Sequence, residues 1–119
     1  MQESGEMYLE TILILAHRKD PVRSIDVAEE MKFSKPSVSR AVARLKRDGY
    51  LSVSDAGHIT LTEKGQAIAE KIYERHVVLT QVLTNLGIDE ETAAADACKI
   101  EHDISAQTYD RIKAWYEQA

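Results

Sequence analysis

The segment Cys98-Lys99-Ile100-Glu101-His102 places a thiol, a carboxyl and an imidazole at i, i+3 and i+4. On a helix those three side chains share one face. A thiolate, a carboxylate and an imidazole within reach of one another suit a borderline divalent cation such as Fe²⁺, Zn²⁺ or Co²⁺. The same residues also read as one small buried hydrophobe, Cys98, beside two surface polar side chains, and the triplet alone leaves both readings open. The sequence holds no HExxH, no Gly-rich phosphate loop and no nucleophile–base pair, so an enzyme is not expected.

A second chemistry-bearing stretch runs from Lys32 to Arg47. It carries Lys32, Lys35, Arg40, Arg44, Lys46 and Arg47 and no acid. Ser37, Arg40, Arg44 and Arg47 recur at intervals of three and four, while Val38, Ala41, Val42 and Leu45 follow the same spacing on the other side. The product is a helix with an apolar back and a cationic front, with Ser34, Lys35, Pro36 and Ser39 at its N-terminal end. Arginine suits bidentate contact with guanine O6 and N7, and serine hydroxyls or a helix N-terminus suit phosphate. Ser34, Lys35, Pro36, Ser37, Ser39, Arg40, Arg44 and Arg47 are therefore the candidate DNA contacts.

The elements that must position these residues follow from caps and breakers. A first helix over about Gly5–Lys19 buries Tyr8, Leu9, Ile12 and Leu15 and stops at Asp20-Pro21. Ser24 is the expected cap of a short helix, Ile25 to Met31, and Ser34 the cap of the basic helix, which has Pro36 in its first turn and Gly49 at its end. Tyr50–Val53 and His58–Leu61 alternate around Ser54-Asp55-Ala56-Gly57, a hairpin turn. Two short helices followed by a small hairpin make a winged helix-turn-helix. Beyond Thr62 a long helix to about Asn85 stops at Leu86-Gly87. Asp89 then caps the helix that carries Cys98, and Ser105 opens a last one with Tyr109, Ile112, Trp115 and Tyr116. The expected fold is mainly α: a winged helix-turn-helix over residues 1–71, then an all-helical metal-binding and dimerisation domain over residues 72–119.

Charge sorts the same way. The net charge of −5 looks wrong for a DNA binder until it is divided. Residues 1–71 carry 11 Lys/Arg and 11 Asp/Glu, whereas residues 72–119 carry 4 and 9. A local basic patch, rather than global charge, is what phosphate binding needs. The acidic N-terminus lacks the order of a signal peptide, no apolar run is long enough to span a bilayer, and the one cysteine excludes an internal disulfide. A cytoplasmic protein with no membrane partner is expected.

Met7-Tyr8-Leu9-Glu10-Thr11, the basic helix, Ala43-Arg44-Leu45-Lys46-Arg47-Asp48-Gly49, Leu61-Thr62-Glu63-Lys64-Gly65, Arg75-His76 and Cys98-Lys99-Ile100-Glu101-His102 occur in this order. Together they resemble the diphtheria-toxin-repressor family (DtxR/MntR type), the metal-dependent repressors of bacteria and archaea, over essentially the whole chain. The resemblance implies a metal held between the first helix, the long helix and the helix bearing Glu101-His102, at positions occupied here by Met7, Glu10, His76, Cys98, Glu101 and His102. Met7 and Cys98 match the iron-type members, whereas Glu10 and His76 are similar to the manganese type. Thioether and thiolate favour Fe²⁺ as cofactor, with Mn²⁺ next. The places of two further ligands of the iron-type ancillary site hold Thr80 and Ala94. With the sequence ending at Ala119, the form expected is the two-domain one, without the SH3-like domain.

The function this implies is a metal-dependent repressor that binds a palindromic double-stranded DNA operator as a homodimer when loaded with its cation. The rival expectation is a winged-helix regulator that senses an oxidant or a small effector and retains a vestigial metal site.

Overall fold

The computed structural model describes residues 1–118, which form six helices and one two-stranded sheet. In chain order these are α1 (Glu3–Arg18), α2 (Ser24–Met31), α3 (Lys35–Arg47), β1 (Leu51–Val53), β2 (Ile59–Leu61), α4 (Glu63–Asn85), α5 (Glu90–Ile100) and α6 (Ala106–Gln118). The chain divides into two compact units, Met1–Glu70 and the residues from Lys71 onward. Among the described residues no helix is long and apolar enough to cross a membrane.

The first unit is the winged helix-turn-helix. Leu9 and Ile12 of α1, Val22, Val27 of α2 and Val38 of α3 are almost wholly buried, and Val42, Leu45, Leu51, Ile59 and Ala69 complete the cluster. These are the apolar faces that helical and strand periodicity select. Gly49, at φ +85°, ends α3, and Tyr50 N–H closes the turn on Leu45 O at 2.9 Å. The wing pairs Leu51 with Leu61, Ser52 with Thr60 and Val53 with Ile59, in antiparallel register. Ile59 N–H also donates to Val22 O at 2.7 Å, so the wing is fastened to the residue leading into α2. At its far end, Thr62 hydroxyl donates to Gly49 O at 2.7 Å and accepts from Gly65 N–H, the first turn of α4.

One cap differs from expectation. Ser24 is the first residue of α2 rather than its cap; the cap is Arg23, whose N–H donates to the Asp26 carboxylate at 2.8 Å. Asp26 is buried and also accepts from Lys19 Nζ at 2.6 Å. The Lys19 ammonium, and then the Arg23 N–H, hold its carboxyl below the usual carboxylate range. A carboxyl with a lowered folded pKa stabilises at pH above its unfolded value of about 3.9, and that contribution fades as pH falls toward the folded value. Asp26→Ala is expected to cost about 1 kcal/mol at neutral pH. Unfolding curves of the two proteins should draw together as pH falls below the unfolded carboxyl value, and a pH-independent gap between them would contradict the assignment.

In the second unit, Leu79 of α4, Ala93 and Ala97 of α5 and Tyr109 of α6 are buried. Gly87, at φ +99°, turns the chain after α4, and Asp89 and Ser105 accept from Thr92 N–H and Thr108 N–H to start α5 and α6. Trp115 stays 58% exposed.

Candidate metal centre and nucleic-acid interface

In α3 the sequence places the cap and the structure uses it. Ser34 Oγ accepts from Ser37 N–H at 3.3 Å and donates to Ser37 Oγ at 2.8 Å, while Arg40 Nη2 reaches Ser37 Oγ at 3.5 Å. Lys35, Pro36, Ser39, Arg40, Arg44 and Arg47 are exposed, Ser37 half-buried. The polar front of α3 therefore faces solvent as one surface. Arg23 adds a cation beside the wing, donating to His58 Nε2 at 3.1 Å. The tie of His58 to Arg23 depends on the fold and has no sequence signal.

The second unit builds the other site. Its α4 carries His76, and the segment just beyond α5 carries Glu101 and His102. The expectation of one continuous helical face for Cys98, Glu101 and His102 needs correction. The helix ends at Ile100, Glu101 is its C-cap, and His102 lies in the turn that follows, closed by Asp103 N–H and Ile104 N–H on Ile100 O. Glu101 keeps right-handed helical dihedrals, and its side chain and that of His102 still approach one another. His76 Nδ1 is 2.9 Å from Glu101 Oε2, and His102 Nε2 is 3.3 Å from Glu101 Oε1. The Glu101 and His102 side chains are fully buried and that of His76 is largely so.

A buried carboxylate between two imidazole nitrogens is costly unless charge compensates it. Oε1 of Glu101 accepts no hydrogen bond among the described residues, so its 3.3 Å approach to His102 Nε2 is not a hydrogen bond. Two donors each about 2.1 Å from one ion, at angles of roughly 90–110°, sit about 3.0–3.4 Å apart. The observed spacing fits that geometry, and a nitrogen–oxygen donor set fits a divalent first-row cation. Cys98 is half-buried in the last turn of α5. In the first unit, Glu10 is buried on α1 and Met7 half-buried. At the two ancillary-site places, Thr80 donates its hydroxyl to His76 O at 2.7 Å and Ala94 offers no donor. Arg75, which sequence reading noted only as part of a motif, is buried in the same unit.

Residues 1–59 match the family described as "Iron dependent repressor, N-terminal DNA binding domain", and residues 62–118 match "Iron dependent repressor, metal binding and dimerisation domain". An uncharacterized HTH-type transcriptional regulator of Methanocaldococcus jannaschii is 35% identical over 120 residues, covering 99% of this chain and 96% of that protein. The HTH-type transcriptional regulator MntR of Bacillus subtilis is 37% identical over 109 residues, 92% of this chain and 77% of its own length. The solved structure of the manganese regulator SloR superposes with a TM-score of 0.84 at 27% identity; the alignment covers 97% of this chain but 54% of that one. The chain belongs to the iron dependent repressor family, the DtxR/MntR type of metal-dependent transcriptional repressors, and is a regulator rather than an enzyme.

Proposed function

We propose that the protein senses Fe²⁺ in preference to Mn²⁺ and, when loaded, binds a palindromic operator as a homodimer in the cytoplasm, repressing transcription. The observation that carries the metal reading is the fully buried Glu101 carboxylate set between His76 and His102. Glu101, His102 and His76 are the proposed ligands from the second unit, with Cys98 as the softer donor that favours iron. Met7 and Glu10 of α1 belong to the same proposal through the family resemblance. Homodimerisation is supported by an apolar groove lined by Leu79, Val82, Leu83, Ile112 and the exposed Trp115. Only a difference in metal affinity between the DNA-competent arrangement and the others can drive such a switch.

The test is anaerobic. Duplexes selected from a randomised library with Fe²⁺ or Mn²⁺ present are used in mobility-shift assays with each metal, without metal, and with His102→Ala. Shifts that need metal, occur at lower Fe²⁺ than Mn²⁺ and vanish in His102→Ala support the proposal. Tight binding without metal in both proteins would overturn it.

On the DNA side, the proposed contacts are Ser34, Lys35, Pro36, Ser37, Ser39, Arg40, Arg44 and Arg47. Arg40→Ala is expected to cost about 1–3 kcal/mol of operator affinity and to relax preference at one base position. Lys35→Ala should instead weaken binding uniformly across sequences and reduce the salt slope by about one. Titrations at several salt concentrations separate the two, and an Arg40→Ala loss equal for every sequence would place Arg40 on phosphate instead.

A further inference from the structure

We propose that Arg75 is a positioning residue for the metal centre, holding the turn that presents Glu101 and His102. The inference rests on the metal reading of the same site. Helix α5 ends at Ile100 with neither glycine nor proline to stop it, and the two ligand positions lie on the turn beyond. Carbonyls at a helix C-terminus have no partner within the helix and must find one elsewhere when buried. Here Arg75 Nη1 donates to Glu101 O at 3.1 Å and to Ile104 O at 3.2 Å, bracketing the turn at both ends. The guanidinium lies over the Tyr109 ring, 5.1 Å from its centroid, and the residue is only 8% exposed.

What Arg75 does not hold is as informative. A buried arginine beside a glutamate ordinarily takes the carboxylate, often through two parallel hydrogen bonds. Among the described residues no carboxylate lies within ion-pair distance of Arg75, although it bonds the main chain of Glu101 itself. Its charge is met by carbonyl dipoles at the end of α5 and by an aromatic face. Both carboxylate oxygens of Glu101 are thereby left to the side where His76 and His102 stand. Arg75 directly precedes His76 on α4, so one turn of α4 supplies a ligand and fixes the segment bearing the other two. Side chains that orient ligands in this way commonly change metal affinity by about 10- to 100-fold when removed.

Co²⁺ is the probe, because its visible absorption reports both occupancy and coordination geometry. It is titrated anaerobically into wild type, His102→Ala, Arg75→Gln, Arg75→Lys and Ile72→Ala, the last a buried residue of α4 that makes no hydrogen bond to the turn. Metal-free melting temperatures are recorded for each. Arg75→Gln is expected to weaken Co²⁺ binding by about 10- to 100-fold and to alter the spectrum, with Arg75→Lys intermediate. Ile72→Ala should lose thermal stability yet keep wild-type affinity and spectrum. If Arg75→Gln does not fold, Arg75→Lys carries the test through a changed spectrum and a several-fold weaker affinity. Wild-type affinity and spectrum in the folded Arg75 variants, beside a clear loss in His102→Ala, would overturn the positioning role alone. Equal, weak binding by wild type and His102→Ala would overturn the metal reading and this inference with it.

Discussion

Glu101→Gln is expected to raise the melting temperature of the metal-free protein while it lowers metal affinity at least about a hundredfold. The two effects share a cause. Glu101 is fully buried, and one of its oxygens accepts no hydrogen bond among the described residues. In the absence of a cation such a carboxylate is a desolvated group set against the imidazole nitrogens of His76 and His102. The amide keeps the shape and removes the charge, which should stabilise the metal-free protein by about 1–2 kcal/mol, or roughly 4–8 °C. With a cation present, the same change replaces an anionic donor by a neutral one and forfeits about 2.7 kcal/mol or more of binding. A melting curve without metal and a Mn²⁺ or Co²⁺ titration measure both. Opposite signs mark a residue kept for binding at the expense of stability. A lower melting temperature with unchanged affinity would make Glu101 part of the scaffold instead.

Much of this was legible because the signals are local. Ser34, Asp89 and Ser105 are oxygen-bearing residues just ahead of helical apolar patterns, and each caps its helix. The apolar back of α3 and the hairpin follow from periodicity and from Gly49 and Gly57 alone. The misplaced features depend on contacts between segments or on small competitions between neighbours. Ser24 looked like a cap, yet Asp26 captures the Arg23 N–H and moves the helix start by one residue. The spacing of Cys98, Glu101 and His102 suggested an unbroken helix, but Arg75, 26 residues earlier than Glu101, takes the terminal carbonyls and lets the helix end there. The bridge from Val22 to Ile59 has no local signature because a single backbone pair sets it. Trp115 and Tyr109 looked alike at helical spacing, yet Tyr109 is buried while Trp115 is mostly exposed.

Gly65→Ala should lower the stability of the winged unit by at least about 2 kcal/mol, although helix propensity alone predicts the opposite sign. A glycine in a helix costs roughly 1 kcal/mol relative to alanine, so an unencumbered Gly65 would be a site for improvement. It is not unencumbered. A Cβ at Gly65 would lie 1.9 Å from Tyr50 O, a backbone atom with no flexible side chain to swing aside. The first turn of α4 would have to withdraw from the end of α3. That withdrawal would strain the hydrogen bonds from Thr62 N–H to Tyr50 O at 3.1 Å and from Thr62 hydroxyl to Gly49 O at 2.7 Å. It would also pull Lys64 from the Tyr50 ring, where its ammonium stands 4.3 Å from the centroid. Losses of about 1 kcal/mol for each of these contacts exceed the propensity gain. The melting temperature should fall by roughly 8 °C or more. Operator affinity should weaken as well, because the same contacts anchor the wing to the C-terminal end of α3, the helix proposed to meet DNA. Thermal melts and mobility shifts of the variant measure both quantities. A melting temperature at or above that of wild type would show that α4 can retreat from Tyr50 at no cost, and that this close approach does not hold the wing.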